Sequence, residues 1–163
     1  MSEATELYER DFYAWTQDQA AALRAWPEGR RPNALDIAHI AEEIEDLGAS
    51  QRTAAGSLIR QILVHLLKLR FHPDPQPRRH WRLEVTEFRA QLDDIFRASP
   101  SLRARRLEVA ESAWARAARQ VRRDMQDDGH AKAAGETQDF TAEAPYFDLD
   151  REVLDEDWFP SRD

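Results

Sequence analysis

The sequence predicts an all-α fold, a helical bundle of about five helices closed by a short C-terminal docking helix. Three observations lead there. Apolar residues recur at three- and four-residue steps along most of the chain. The strict apolar–polar alternation of strands is nearly absent. The periodic stretches are separated by short clusters of Pro, Gly and Ser, which stop helices. With 163 residues and no internal repeat, the chain reads as a single domain, 1–163, long enough for a sizeable core.

The first helix is expected over about 5–25, with Leu7, Tyr8, Phe12, Trp15, Ala22 and Leu23 on its apolar side; Pro27, Gly29 and Pro32 end it. The second is expected over about 34–47. Asn33 suits its N-cap, Asp36 its first turn and Gly48 the C′ position. Its buried stripe is Ile37, Ile40, Ala41, Ile44 and Leu47. The third, about 51–71, is the most apolar and reads as central, through Leu58, Ile59, Ile62, Leu63, Leu66 and Leu69. The stretch "HPDPQP" (72–77) stops it with three prolines. The fourth, about 78–98, buries Trp81, Val85, Phe88, Leu92, Ile95 and Phe96, and Ser99–Pro100–Ser101 marks a turn. The fifth, about 101–125, buries Leu107, Ala110, Trp114, Ala118, Val121 and Met125. Residues 126–144 are polar, lack an apolar stripe and read as a mobile loop. Residues 145–160 are acidic yet carry Tyr146, Phe147, Leu149, Val153, Leu154, Trp158 and Phe159. So many large apolar side chains suit a docking tail with a short helix near 149–156 rather than a disordered one.

Charge is unevenly spread. Residues 1–50 carry 4 basic and 11 acidic side chains, residues 51–123 carry 16 and 7, and residues 124–163 carry 3 and 13. A basic middle between acidic ends either binds a polyanion or is neutralised by its own ends. The apolar anchors in those ends favour the second reading. With no cysteine, disulfides and thiolate metal sites are excluded. The acidic start "MSEATELYERDF" does not read as a secretory signal, and "LIRQILVHLLKLRF" is too short and too charged to span a bilayer. A cytoplasmic protein that does not enter membranes is expected.

Four stretches in order, "LYERDFYAWTQDQAAALR" (7–24), "IAEEIEDLG" (40–48), "LVHLLKLRFHP" (63–73) with "SPSL" (99–102), and "APYFDLDREVLDEDWFP" (144–160), resemble a bacterial family known as domain-of-unknown-function family 29. The resemblance covers nearly the whole chain. It implies an all-helical fold and a bacterial source, and it brings no catalytic residues. The family often has Cys before the Pro-Tyr pair, where this chain has Ala144, so no thiol chemistry carries over.

Candidate sites therefore rest on the residues themselves. Asp36, His39 and Glu43 fall within about 60° of one another on a helix. His65 and His72 share a ridge on the next one, with Gln61 four residues before His65. An antiparallel pair of helices would bring the two ridges together as a carboxylate–imidazole set for Zn, Mn or Fe. The plainer reading makes 36–48 a solvated acidic face and His65 a core histidine bonded to a Tyr or Glu. The spacing Arg60-x4-His65 resembles the motif of HEPN-type ribonucleases, but the two side chains lie about 140° apart on a continuous helix. Arg105, Arg116, Arg119 and Arg123 cluster opposite Trp114 on the expected fifth helix, and Arg78, Arg82 and Arg89 share a ridge on the fourth. Both are candidates for anion binding. The tryptophans read as core and docking anchors rather than a ligand cage. Trp26, beside Pro27, fits either a cap or a contact with another chain.

No nucleotide fingerprint or nucleophile elbow is present. The expected function is a non-catalytic interaction or regulatory module with a protein partner or a homodimer. The alternatives are a metal-binding bundle and an RNA-directed protein using its arginines.

Overall fold

The computed structural model describes residues 2–136 and 144–161. Among these residues there is no strand, and the elements are α1 (Glu3–Arg10), α2 (Phe12–Ala25), α3 (Ile37–Phe71), α4 (Arg78–Ala98), α5 (Pro100–Ala104), α6 (Arg106–Ala110), α7 (Ala113–Asp127) and α8 (Ala131–Glu136). A short 3-10 turn (Glu28–Arg30) and a π-helical turn (Leu149–Val153) complete them. The chain is all-α, as expected. It divides into two compact units: Met1–Ala54 with Asp94–Arg106, and Ala55–Asp93 with Leu107–Asp163.

In the first unit, the expected helix 5–25 is two helices. Asp11 breaks it by adopting an extended backbone and capping α2, accepting from the Ala14 N–H at 3.0 Å. An Asp side chain that bonds its own neighbouring backbone competes with the helical ladder. The same buried carboxylate accepts from the Ser101 N–H at 2.7 Å and the Ser101 hydroxyl at 2.8 Å, so it also serves the start of α5. Ser99 completes the joint. Its hydroxyl accepts from the Tyr13 N–H at 3.0 Å and donates to Gln51 Oε1 at 2.7 Å. Tyr13, Thr16, Ala20, Ile37, Ala41, Phe96 and Leu102 are buried in this unit.

The expected second and third helices are one. α3 runs unbroken for 35 residues, and Gly48 sits inside it rather than at a C′ position. No proline lies in "GASQRTAAGS" (48–57) to interrupt the ladder. Gly48 is needed for its missing side chain: a Cβ there would lie 2.2 Å from Thr16 Oγ1, so glycine is what lets α2 approach. The start of α3 is capped by Asp36, whose carboxylate accepts from the His39 N–H at 3.2 Å, and not by Asn33.

In the second unit the core is built from Ile59, Ile62, Leu63, Leu66, Leu67 and Leu69 of α3, Trp81, Val85 and Leu92 of α4, and Trp114, Ala117, Val121 and Met125 of α7. The expected fifth helix is three elements, interrupted at Arg105 and again at 111–112. Each interruption resets the helical phase. Val109 is therefore buried while Leu107, expected in the core, is 66% exposed. α7 ends at Gly129, whose φ of +82° is the left-handed conformation of a glycine stop, with the His130 N–H returning to Met125 O at 2.8 Å. Within the expected loop 126–144, residues 126–127 belong to α7 and 131–136 to α8, while 137–143 lies outside the described residues.

One side chain, Arg89, gathers the backbone carbonyls of the tail. Arg89, 4% exposed, donates from Nε to Val153 O (2.9 Å), from Nη2 to Glu152 O (2.8 Å), and from Nη1 to Trp158 O (3.0 Å) and Glu156 O (3.3 Å). The guanidinium lies 5.0 Å from the centre of the Phe159 ring, and that of Arg82 lies 4.2 Å from it. Burial pushes the Arg89 pKa down to about 10, against the raising influence of Asp155 and Glu156, so it stays charged at neutral pH. Arg89 thus holds the tail by its carbonyls, where the sequence suggested pairing with its carboxylates.

Candidate interaction surface

The stretch "DIAHIAEEIEDLG" (36–48) forms the cap and first three turns of α3 in the first unit. Its apolar residues divide between two faces. Ile37, Ala41 and Gly48 are buried, on the side where Gly48 admits α2. Ile40 is 36% exposed and Leu47 53% exposed, with Ile44 half-buried beside them. The expected single buried stripe is thus rotated. Small residues at 41 and 48 draw α2 to one edge of the stripe, leaving the bulkier Ile40–Leu47 edge in water. Leu35, just before the helix, is 49% exposed.

The polar residues of this stretch are exposed, apart from the half-buried Glu45. Asp36 and His39 form an ion pair, Oδ2 to Nδ1 at 2.6 Å. The hydrogen bond to Asp36 and its charge hold the His39 pKa above its ordinary value. The same side-chain bond, with the His39 backbone N–H, holds Asp36 below the usual carboxylate range. Glu45 pairs with Arg24 of α2, whose own pKa is raised by that bond. The side-chain carboxylates of Glu43 and Asp46 make no hydrogen bond or ion pair with any described residue. They lie roughly 60° and 120° around the helix from Ile40, on the side away from Ala41 and Gly48. The result is an exposed apolar ridge with an acidic flank.

The two histidines expected to face this stretch stand in the second unit, on the same helix. The turn at Gly48 that was expected to fold the two ridges together is absent, since α3 continues through that position. Each histidine has partners of its own. His65 Nδ1 donates to Gln61 O at 2.8 Å, and Nε2 lies 2.6 Å from Glu84 Oε2. His80 Nε2 approaches the same oxygen at 3.4 Å. His72 is buried. Its Nδ1 accepts from the Asp74 N–H at 3.2 Å, so Nε2 carries the ring hydrogen and donates to Asp128 Oδ2 at 3.3 Å. Both ring nitrogens of His65 and of His72 are engaged, and among the described residues no group of three His, Asp or Glu is gathered as a metal ion requires. Of the plainer reading of His65, the bond to a Glu is present, on a ring that is half-buried rather than in the core.

The arginine candidates also separate. Arg116, Arg119 and Arg123 form an exposed row on α7 in the second unit. Arg105 instead caps α5, in the first unit, because the expected fifth helix is broken there. Arg60 donates from Nη1 to Gln120 Oε1 at 3.1 Å while His65 turns to Glu84, so the Arg60–His65 spacing assembles no shared site. The second unit also holds a cavity of about 480 Å³ between Leu63, Leu107, Trp114, Phe147 and Val153. Its lining is mainly apolar, with the carboxylates of Glu111 and Asp148 as its acidic groups. Asp148, on its border, is occupied in capping the π-turn through the N–H groups of Asp150 and Arg151.

The model of Domain of unknown function DUF29 matches residues 7–159 of this chain. The chain belongs to the DUF29 family. A crystal structure of an alpha-helical protein of unknown function from Rhodospirillum rubrum is similar to it, with 35% sequence identity, a TM-score of 0.74, and coverage of 93% of this chain and 90% of that one. No curated protein matches the chain. Family membership brings this DUF29 chain its fold and no reaction. Among its described residues, no helix is long and apolar enough to cross a membrane.

Sequence reasoning missed Glu84, Asp128 and Asp11 in this DUF29 chain. The pairs His65–Glu84 and His72–Asp128 link positions 19 and 56 residues apart, and no periodicity reaches across that distance. Asp11 did carry a signal: an Asp inside an apolar-periodic run, three residues before a helical N–H, is the pattern of an internal N-cap.

Proposed function

We propose that this chain is a non-catalytic interaction module of a bacterial cell that docks a partner polypeptide on the Ile40–Ile44–Leu47 ridge of α3. The observation that carries the reading is the ridge itself, apolar side chains at i, i+4 and i+7 of which the outer two are exposed and the middle one half-buried, beside a well-packed helix face. Exposed apolar side chains occurring singly need no explanation, whereas an aligned row marks a contact surface. The bacterial setting is supported by the relative from Rhodospirillum rubrum. That the histidines of α3 are held in hydrogen bonds and ion pairs supports a binding role over a catalytic one.

The test is photo-crosslinking in cells with a benzophenone amino acid replacing Leu47. Leu83, an exposed leucine at 59% on α4 in the second unit, is the control position. A discrete adduct with one other polypeptide from position 47 and none from position 83 is the expected result. An adduct of the chain with itself alone would make the ridge a homodimer contact. No adduct from position 47 would remove the reading.

A further inference from the structure

Resting on the reading of this ridge as a docking surface, we infer that its partner segment is a basic amphipathic helix lying along the first three turns of α3. Two features of the ridge set its chemistry. The first is shape. Ile40, Ile44 and Leu47 form a straight apolar row of two helical turns, about 10.5 Å long. A row of that kind is matched by the i, i+3 or i+4, i+7 row of a second helix, knob against groove. An extended strand would need a sheet edge, and no strand exists among the described residues.

The second feature is charge. The carboxylates of Glu43 and Asp46 border the row on its open side without any bond to a described residue, while Glu45, toward α2, is already paired with Arg24. Asp36 is held by His39. Two unpaired carboxylates on one flank favour a helix with Lys or Arg beside its apolar row, since opposite charges at a rim orient a partner and like charges exclude one. The same argument disfavours a second copy of this chain on its own ridge. A symmetric contact would bring Glu43 and Asp46 of both copies along one seam, in a segment with 11 acidic and 4 basic side chains over residues 1–50.

The experiment titrates the full chain into three fluorescent helical peptides with one Leu row and a flank of Lys, Gln or Glu, read by anisotropy. Binding is expected in the order Lys, Gln, Glu. The double variant Glu43→Gln plus Asp46→Asn should weaken the Lys peptide about fivefold, and added salt should do the same. Ile40→Ser plus Leu47→Ser should abolish binding, with circular dichroism confirming that the helices persist. If all three peptides bind alike, or the charge-neutral variant binds the Lys peptide as well as the parent does, the basic-helix inference is overturned and the docking ridge stands. If no peptide binds but position 47 still crosslinks to another polypeptide, the inference is again overturned alone. If no peptide binds and position 47 crosslinks to nothing, both fall together.

Discussion

Asp36 and His39 show how one exposed pair serves both a cap and a charge. Asp36 accepts the His39 backbone N–H at the helix start and meets the imidazole with its other oxygen. The shifts run in opposite directions, so the pair acts only in a window. His39, raised, contributes stability at pH below its ordinary titration, and this is lost as pH rises through its folded value. Asp36, lowered, contributes above the ordinary carboxylate titration, and this is lost as pH falls through its folded value. Both groups are exposed, so the stability involved is small. The titration itself is the observable. By NMR, His39 should titrate above its ordinary value of about 6.5, and Asp36→Asn should bring it back. An unchanged His39 titration in that variant would mean that the pair does not persist in solution. The sequence alone placed these two residues on one face. Their exposure was decided by the packing of α2 on the adjacent edge.

At the scale of the element, α3 carries the main departure from expectation. Glycine inside a helix costs about 1 kcal/mol relative to alanine and often marks a helix end. Gly48 does neither task of a stop. It replaces a side chain with the Thr16 hydroxyl, which itself donates to Tyr13 O at 2.8 Å. Gly48→Ala should therefore destabilise the chain by about 1–3 kcal/mol, although it improves helix propensity. Thr16→Ser in the same background would leave the clash, because it keeps the hydroxyl, whereas Thr16→Ala would relieve much of it. Thermal denaturation checks this, and a Gly48→Ala chain as stable as the parent would refute the close approach. α5 to α7 make the related point. A continuous wheel through 101–125 put Leu107 inside and set Arg105 in one row with Arg116, Arg119 and Arg123. Two breaks in the helix ended both correspondences.

For the whole molecule, the tail is the segment whose behaviour was most legible in advance. Its aromatics predicted docking, and Phe147, Val153 and Pro160 are buried. The manner of docking was not legible. Nothing in "DLDREVLDED" indicates that four backbone carbonyls would converge on Arg89 while the carboxylates stay outside. Replacing Arg89 by Met keeps the bulk and leaves those carbonyls without their donor. The cost should be about 3–5 kcal/mol, seen as a lower Tm, a red-shifted Trp158 emission and rapid proteolysis within 145–160. Arg89→Lys should recover only part of the loss, since one ammonium has a different reach and lacks the planar fork. Equal proteolysis of parent and Arg89→Met tails would show that the guanidinium does not hold the segment.

What the sequence determined by itself was the class of the fold, most helix positions within a turn, the apolar stripe of the central helix, and a tail that docks. These follow from local periodicity and from stop residues, which act over a few positions. Tertiary structure decided whether Gly48 ended a helix or admitted a neighbour, which edge of the 36–48 stripe stayed in water, and which carboxylates His65 and His72 would meet. Each depends on a group distant in the chain: Thr16 for Gly48, α2 for the stripe, Glu84 and Asp128 for the histidines. A helical pattern is the same whether a glycine faces water or another helix, and only the packing of the second helix distinguishes the two.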